Sequence, residues 1–223
     1  MNNFSWPDQP GQTTFLVAKP GYPFIIAPAF ITAVFALLGL TVLSLTGLAV
    51  TIFICYFFRD PDRVTPNKNG AVVSPADGRI VEACIKDSNP YFEGRCLKIS
   101  IFMSVFNVHV NRIPHEGKVE KINYYPGKFI SANFDKASTD NERNAVFIKT
   151  DQGKKYCVVQ VAGLIARRII CKIHEGDRMA RGKRFGMICF GSRLDVYLPD
   201  DTKLNVHIKD RVKAGTSILG CLT

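Results

Sequence analysis

The sequence predicts a mainly β domain, a barrel or sandwich of many short strands, preceded by an apolar helical segment. Three observations carry this. No charged residue occurs from position 22 to position 58. Beyond position 59 the apolar residues fall into short β-branched and aromatic runs, the pattern of strands. Between those runs sit turn dipeptides and tripeptides such as Glu116-Gly117, Pro126-Gly127, Asp151-Gln152-Gly153 and Glu175-Gly176, and many short strands with frequent turns define a sandwich or barrel.

Taken in order, residues 1–21 form a polar lead with Pro7, Pro10 and Pro20. Residues 22–58 form a membrane-associating helical segment. As one straight helix it would run roughly 55 Å against a hydrocarbon core of about 30 Å, so it must bend. The break is expected around 39–41. Cations at the outer ends, Lys19 on one side and Arg59 and Arg63 on the other, suit a hairpin with both ends cytoplasmic. A single tilted span behind an interfacial helix is the alternative. The apolar stretch is far longer than the core of a cleaved signal peptide, so the segment reads as retained.

Residues 59–223 are the second domain. Strands are expected at 72–73, 79–83, 97–103, 107–113, 118–124, 145–150, 155–161, 168–173, 184–189, 194–198 and 204–206. Asp77-Gly78 alone would read as a hairpin tip. A repeat, Asp177-Arg178-Met179-Ala180-Arg181-Gly182 against Asp210-Arg211-Val212-Lys213-Ala214-Gly215, predicts two related hairpins. It resembles the turn pattern of the biotinyl and lipoyl carrier fold, which speaks to architecture and not to function.

Lys and Arg outnumber Asp and Glu by 29 to 19. Only Asp8 and Lys19 precede Arg59, so the whole excess lies in the second domain. Such a surface suits nucleic acid, anionic lipid or acidic small molecules. Nucleic-acid binding would need aromatics interleaved with the cations on one face, and Tyr124-Tyr125 and Phe129 beside Lys128 are too few. The apolar segment favours an anionic lipid surface. The seven cysteines are odd in number, scattered and without a C-x-x-C pair, so they predict reduced thiols and neither a zinc site nor a disulfide frame.

Chemistry concentrates in three islands. One is Phe190-Gly191-Ser192-Arg193-Leu194-Asp195-Val196-Tyr197-Leu198-Pro199, a Gly-Ser pair between strand-like runs. Gly-Ser is most often a turn, yet glycine also lets a nucleophile approach the backbone closely. The others are Ser74-Pro75-Ala76-Asp77-Gly78-Arg79 and Asn107-Val108-His109-Val110-Asn111-Arg112. With the Phe57-Phe58-Arg59-Asp60-Pro61-Asp62-Arg63 exit before them, they resemble, in order, the short bacterial and archaeal form of the phosphatidylserine decarboxylases.

That resemblance implies a precursor that cuts itself between Gly191 and Ser192. The products are a β chain, 1–191, and an α chain, 192–223, headed by a pyruvoyl group made from Ser192. It implies decarboxylation of phosphatidylserine to phosphatidylethanolamine and CO₂ through a Schiff base to that pyruvoyl cofactor. The catalytic residues carried over are Ser192, His109 as base and Asp77 as its orienting carboxylate. The implied partners are phosphatidylserine in the membrane, the chain's own two fragments as a heterodimer, and further copies in a higher oligomer. The implied location is the cell membrane, with the catalytic domain facing the cytoplasm. The longer members carry L-G-S-T at the scissile bond and a second histidine three residues on, where this chain has Arg112. His115, in a Pro-His-Glu-Gly stretch, reads as an exposed turn residue, His174 as a strand end, and no metal is predicted. Arg193 is left open between a phosphate contact and solvent.

Two rival functions remain. A membrane-tethered biotinyl or lipoyl-like carrier or binding domain would need a hairpin-tip lysine in an M-K-M-like setting, which is absent from the sequence. A pyruvoyl decarboxylase for another amino-acid headgroup would share the motifs but, for a soluble substrate, would not need the apolar arms.

Overall fold

The computed structural model describes residues 17–92, 94–130, 140–164, 168–189 and 191–222. Residues 1–16 of the expected polar lead lie outside the described residues, as does Phe190 of the Gly-Ser motif. The chain divides into two compact units, 1–62 and 63–223.

In the first unit a 3-10 turn, Lys19–Gly21, leads into α1 (Tyr22–Leu37), which is followed by α2 (Thr41–Phe57). The chain reverses at 38–40, where Gly39 takes φ +71°, a left-handed conformation that glycine adopts without steric cost. The two helices close on each other at Gly47, where a Cβ would fall 2.4 Å from Thr32 Oγ1. The hairpin's ends meet through Ala18 N–H donating to the Phe58 carbonyl at 2.8 Å. Thr32, Thr46 and Thr51 return their hydroxyl protons to carbonyls four residues back, at 2.7–2.8 Å. These three hydroxyls are thus satisfied within their own helices. Lys19–Leu37 is long and apolar enough by length and composition to cross a membrane, and Thr41–Phe57 is shorter.

The second unit is built from strands: β1 (Ala71–Val73), β2 (Gly78–Lys86), β3 (Cys96–Met103), β4 (Val110–Arg112), β5 (Gly117–Tyr125), β6 (Arg143–Lys149), β7 (Lys155–Ala162), β8 (Ile169–Cys171), β9 (Arg178–Met179), β10 (Arg184–Ile188), β11 (Ser192–Pro199), β12 (Lys203–Leu204), β13 (Arg211–Val212) and β14 (Ile218–Cys221). One eight-stranded sheet runs β13-β2-β3-β11-β7-β6-β5-β9, and two three-stranded sheets run β1-β14-β12 and β4-β10-β8. Each expected run contains a strand. The expected strand at 107–113 is shorter than its sequence suggested, because Asn107 Oδ1 accepts from the Ser104 N–H at 2.9 Å and the Ser104 hydroxyl at 2.8 Å. That side chain closes a turn at 104–107 in place of a ladder. Asp77-Gly78 is likewise no hairpin tip: β1 pairs with β14, not with β2.

The repeated motif folds twice in the same way. His174 N–H donates to Asp177 Oδ2 and His207 N–H to Asp210 Oδ2, both at 2.8 Å. Gly176 N–H reaches the Val119 carbonyl as Lys209 N–H reaches that of Ile80, both at 2.8 Å. Val119 N–H and Ile80 N–H return bonds to the carbonyls of Asp177 and Asp210, both at 2.9 Å. The two copies lead into β9 and β13, the edge strands of the large sheet. A Cβ on Gly215 would lie 3.7 Å from Gly182 Cα, so the sheet curls until its two edges meet at these turns.

Side-chain alternation along β11 separates two interiors. Leu194, Val196 and Leu198 join the main core with Ile99, Ile101, Val158 and Phe185. Tyr197 points the other way, into a smaller cluster with Tyr91, Cys157, Val159 and Val161.

Candidate active site

The expected scissile pair lies where the small β4-β10-β8 sheet hands the chain to the large sheet. β10 ends at Ile188, whose N–H donates to the His109 carbonyl at 3.4 Å. β11 then begins at Ser192, paired with Met103 on one side and Ala162 on the other. Between them Gly191 takes φ +69°. This left-handed joint lets the chain leave one sheet and enter the next.

Ser192 is fully buried. Its alternation places it on the same side as Leu194, towards the main core. Its hydroxyl has no hydrogen-bond partner among the described residues. A buried hydroxyl without a partner costs about 1–3 kcal/mol, so such a group calls for a reason.

His109 supplies one. It is fully buried just before β4. Its Nδ1 lies 2.9 Å from the Asn107 carbonyl, which only accepts, so Nδ1 carries the proton. Nε2 accepts the Gly191 N–H at 3.2 Å, which brings the imidazole's unprotonated nitrogen to the residue before Ser192. The turn at 104–107 that shortened the expected strand is what holds this imidazole. The structure therefore brings His109, Gly191 and Ser192 together, a constellation able to do acyl chemistry on the chain's own backbone.

Asp77 is placed differently. Its Oδ1 accepts the Ala214 N–H at 2.7 Å and its Oδ2 pairs with Arg63 at 2.9 Å. The carboxylate's bonds run to those groups, while a backbone carbonyl orients His109. Asp77 ties residues 213–215, downstream of Ser192, to residues far upstream of it. The corresponding position in the other copy of the repeat, Glu116, reaches Arg181 at 3.3 Å.

Two expectations change. His115, read as exposed, is buried. Its Nδ1 lies 2.9 Å from the Glu116 carbonyl, and its own carbonyl accepts the Tyr156 hydroxyl. Ser74-Pro75-Ala76-Asp77-Gly78 and Ile113-Pro114-His115-Glu116-Gly117 occupy equivalent places, so His115 takes the inward position that Ala76 fills in the first copy. Arg193 does not face solvent. It is 1% exposed and pairs with buried Asp195 at 2.9 Å, on the opposite side of the sheet from Ser192. The cluster continues through Lys98 to Glu82 at 2.6 Å. Burial alone would raise the Glu82 carboxyl, but Lys86 and Lys98 outweigh it and hold the pKa at about 2. Alternation in Ser192-Arg193-Leu194-Asp195-Val196-Tyr197 was the signal that separated these faces.

Comparison with known proteins places the chain among enzymes, in the class of decarboxylases made as proenzymes. The family model described as phosphatidylserine decarboxylase matches residues 50–220. Among similar proteins are the phosphatidylserine decarboxylase proenzymes of Syntrophus aciditrophicus, 50% identical over 92% of this chain and 96% of the relative, and of Desulfotalea psychrophila, 50% identical over 92% and 95%. That of Nitrosomonas europaea is 48% identical over 92% and 94%. The chain belongs to the phosphatidylserine decarboxylase family.

Proposed function

We propose that this proenzyme cleaves itself at Gly191-Ser192 and, with the pyruvoyl group so formed, converts phosphatidylserine to phosphatidylethanolamine and CO₂. The observation that supports this most directly is a buried, unpartnered Ser192 hydroxyl directly after a left-handed Gly191 whose N–H donates to His109 Nε2. His109 Nε2 exchanges the Gly191 N–H for the Ser192 hydroxyl and takes its proton as Ser192 Oγ adds to the Gly191 carbonyl. The C–N bond breaks, the amine is freed and an ester remains. Loss of the Ser192 α-proton then expels Gly191 as a carboxylate, and water displaces ammonia from what is left of residue 192.

The site fits the pyruvoyl group, because the orphaned hydroxyl is the atom the cleavage consumes and burial keeps bulk water from it. That group supplies a ketone that holds the substrate amine and takes up the electrons released with CO₂. His109 remains beside residue 192 and can return a proton to the carbon that loses the carboxylate.

The 192–223 piece stays in place after the cut because β11 lies between β3 and β7, β13 lies on β2, and β14 lies on β1. Asp77 acts here as a positioning residue, through Ala214 and Arg63. The apolar helices carry the enzyme to an anionic membrane, with the second unit on the cytoplasmic side.

The test is release of labelled CO₂ from carboxyl-labelled phosphatidylserine in mixed micelles, with and without borohydride pretreatment. The reading requires release that borohydride abolishes. Release that borohydride leaves untouched would rule out the ketone. CO₂ release from a lipid whose headgroup is a different amino acid with a free carboxylate, with phosphatidylserine left intact, would favour the alternative headgroup.

A further inference from the structure

Arg168 stands immediately before β8, whose Ile169 pairs with Ile188 at the end of β10. The Cys189 N–H donates to the Arg168 carbonyl at 3.2 Å, so Arg168 lies directly across from the last described residue before the scissile turn. Its side chain is exposed, and among the described residues its guanidinium meets no carboxylate. Its charge is felt at the neighbouring strand end: burial pushes the Cys189 thiol up in pKa, and the Arg168 charge pulls it back. Two other cations on or beside β11 are committed elsewhere, Arg193 to Asp195 and Lys98 to Glu82. Among the described residues Arg168 is thus a cation with no carboxylate partner, close to a site whose proposed substrate carries a phosphodiester.

Cys189 and Ser192 are three residues apart, at most about 11 Å of extended chain. The serine headgroup, held by its nitrogen at residue 192, and an arginine side chain cover that span between them. Guanidinium suits phosphate oxygens because its donors form a planar fork.

We propose that Arg168 binds the phosphodiester of the substrate headgroup and so selects a phospholipid over an uncharged serine lipid. This deepens the decarboxylase reading and rests on it.

The experiment compares wild type, Arg168→Gln and Arg168→Lys on phosphatidylserine and on its uncharged methyl phosphotriester, in the same neutral micelles. Extent of cleavage into two chains is scored on the same samples. All three proteins should cleave fully. For Arg168→Gln, kcat/KM on the diester should fall about tenfold or more, carried by KM, as loss of a charge-assisted contact implies. On the triester it should barely change, and Arg168→Lys should recover part of the loss. An unchanged KM on the diester, or an equal loss on both lipids, would overturn the assignment. A wild type that neither cleaves nor decarboxylates would sink the parent reading and this one with it, which sets that failure apart from a cleaved, active Arg168→Gln enzyme that keeps its preference.

Discussion

Gly191→Ala should slow self-cleavage without abolishing it. The residue sits at φ +69°, and a Cβ built there meets nothing within 4 Å, so the substitution carries a conformational cost and no steric one. Holding an L-residue in that region costs roughly 1–2 kcal/mol. If the chain reacts from this conformation, the cost enters the barrier and slows cleavage about 5- to 30-fold. Gly191→Asn should fall between glycine and alanine, because asparagine tolerates the left-handed region. Gly191→Val should be slower than alanine. The assay is a time course of full-length chain disappearing on denaturing gels after synthesis in a purified translation system. Cleavage of the alanine variant at the wild-type rate would show that the left-handed joint is not used in the reaction. An alanine variant as inert as Ser192→Ala would show that glycine does more than relieve backbone strain.

Other outcomes follow from the same geometry. His109→Ala should lose about 10²- to 10⁴-fold in cleavage rate, with partial rescue by added imidazole, whereas His115→Asn should cleave normally once folded; the same gels decide both. The Glu82 carboxyl titrates at about 2 against an ordinary 4.5. A depressed folded-state pKa means its stabilisation is whole above about pH 4.5 and drains away as pH falls towards 2. After allowing for screening at a partly exposed group, that is on the order of 2 kcal/mol, and Glu82→Gln should flatten the acid limb of a denaturant-melt series by that amount. Lys209, at φ +79°, stands where the first copy of the repeat has Gly176. Lys209→Gly should therefore raise stability by about 1 kcal/mol, or about 2–4 °C in Tm by calorimetry.

The strand-rich character of the chain was legible because β-branched runs and turn dipeptides are local signals. The reversal at Gly39 followed from length alone, since 37 uncharged residues overrun a bilayer as one helix. The internal repeat was only half visible: Asp-Arg-x-x-x-Gly stood out, but its histidines and the matching Pro-x-Asp-Gly and Pro-x-Glu-Gly segments lie far apart in the chain. Their equivalence appears only once bonds such as Gly176 to Val119 and Lys209 to Ile80 are seen. The strand at 107–113 was overcalled because alternation cannot show that the Asn107 side chain will close a turn. That turn fixes the imidazole, so the local signal failed at the residue that shapes the site. His115 and Arg193 were misplaced for a related reason: burial of a polar side chain depends on partners such as Tyr156 and Asp195, which adjacent sequence does not reveal. The Gly-Ser pair drew attention through its motif, and its burial, left-handed joint and histidine neighbour come from the fold.

The most direct test of the account is the intact mass, under denaturing conditions, of the purified protein beside its Ser192→Ala variant. The account predicts that wild type separates into two species split after Gly191, the smaller one blocked at its N-terminus by a ketone that borohydride reduces, while the variant remains one chain. A wild-type protein that stays a single full-length species after incubation with phospholipid membranes would contradict it.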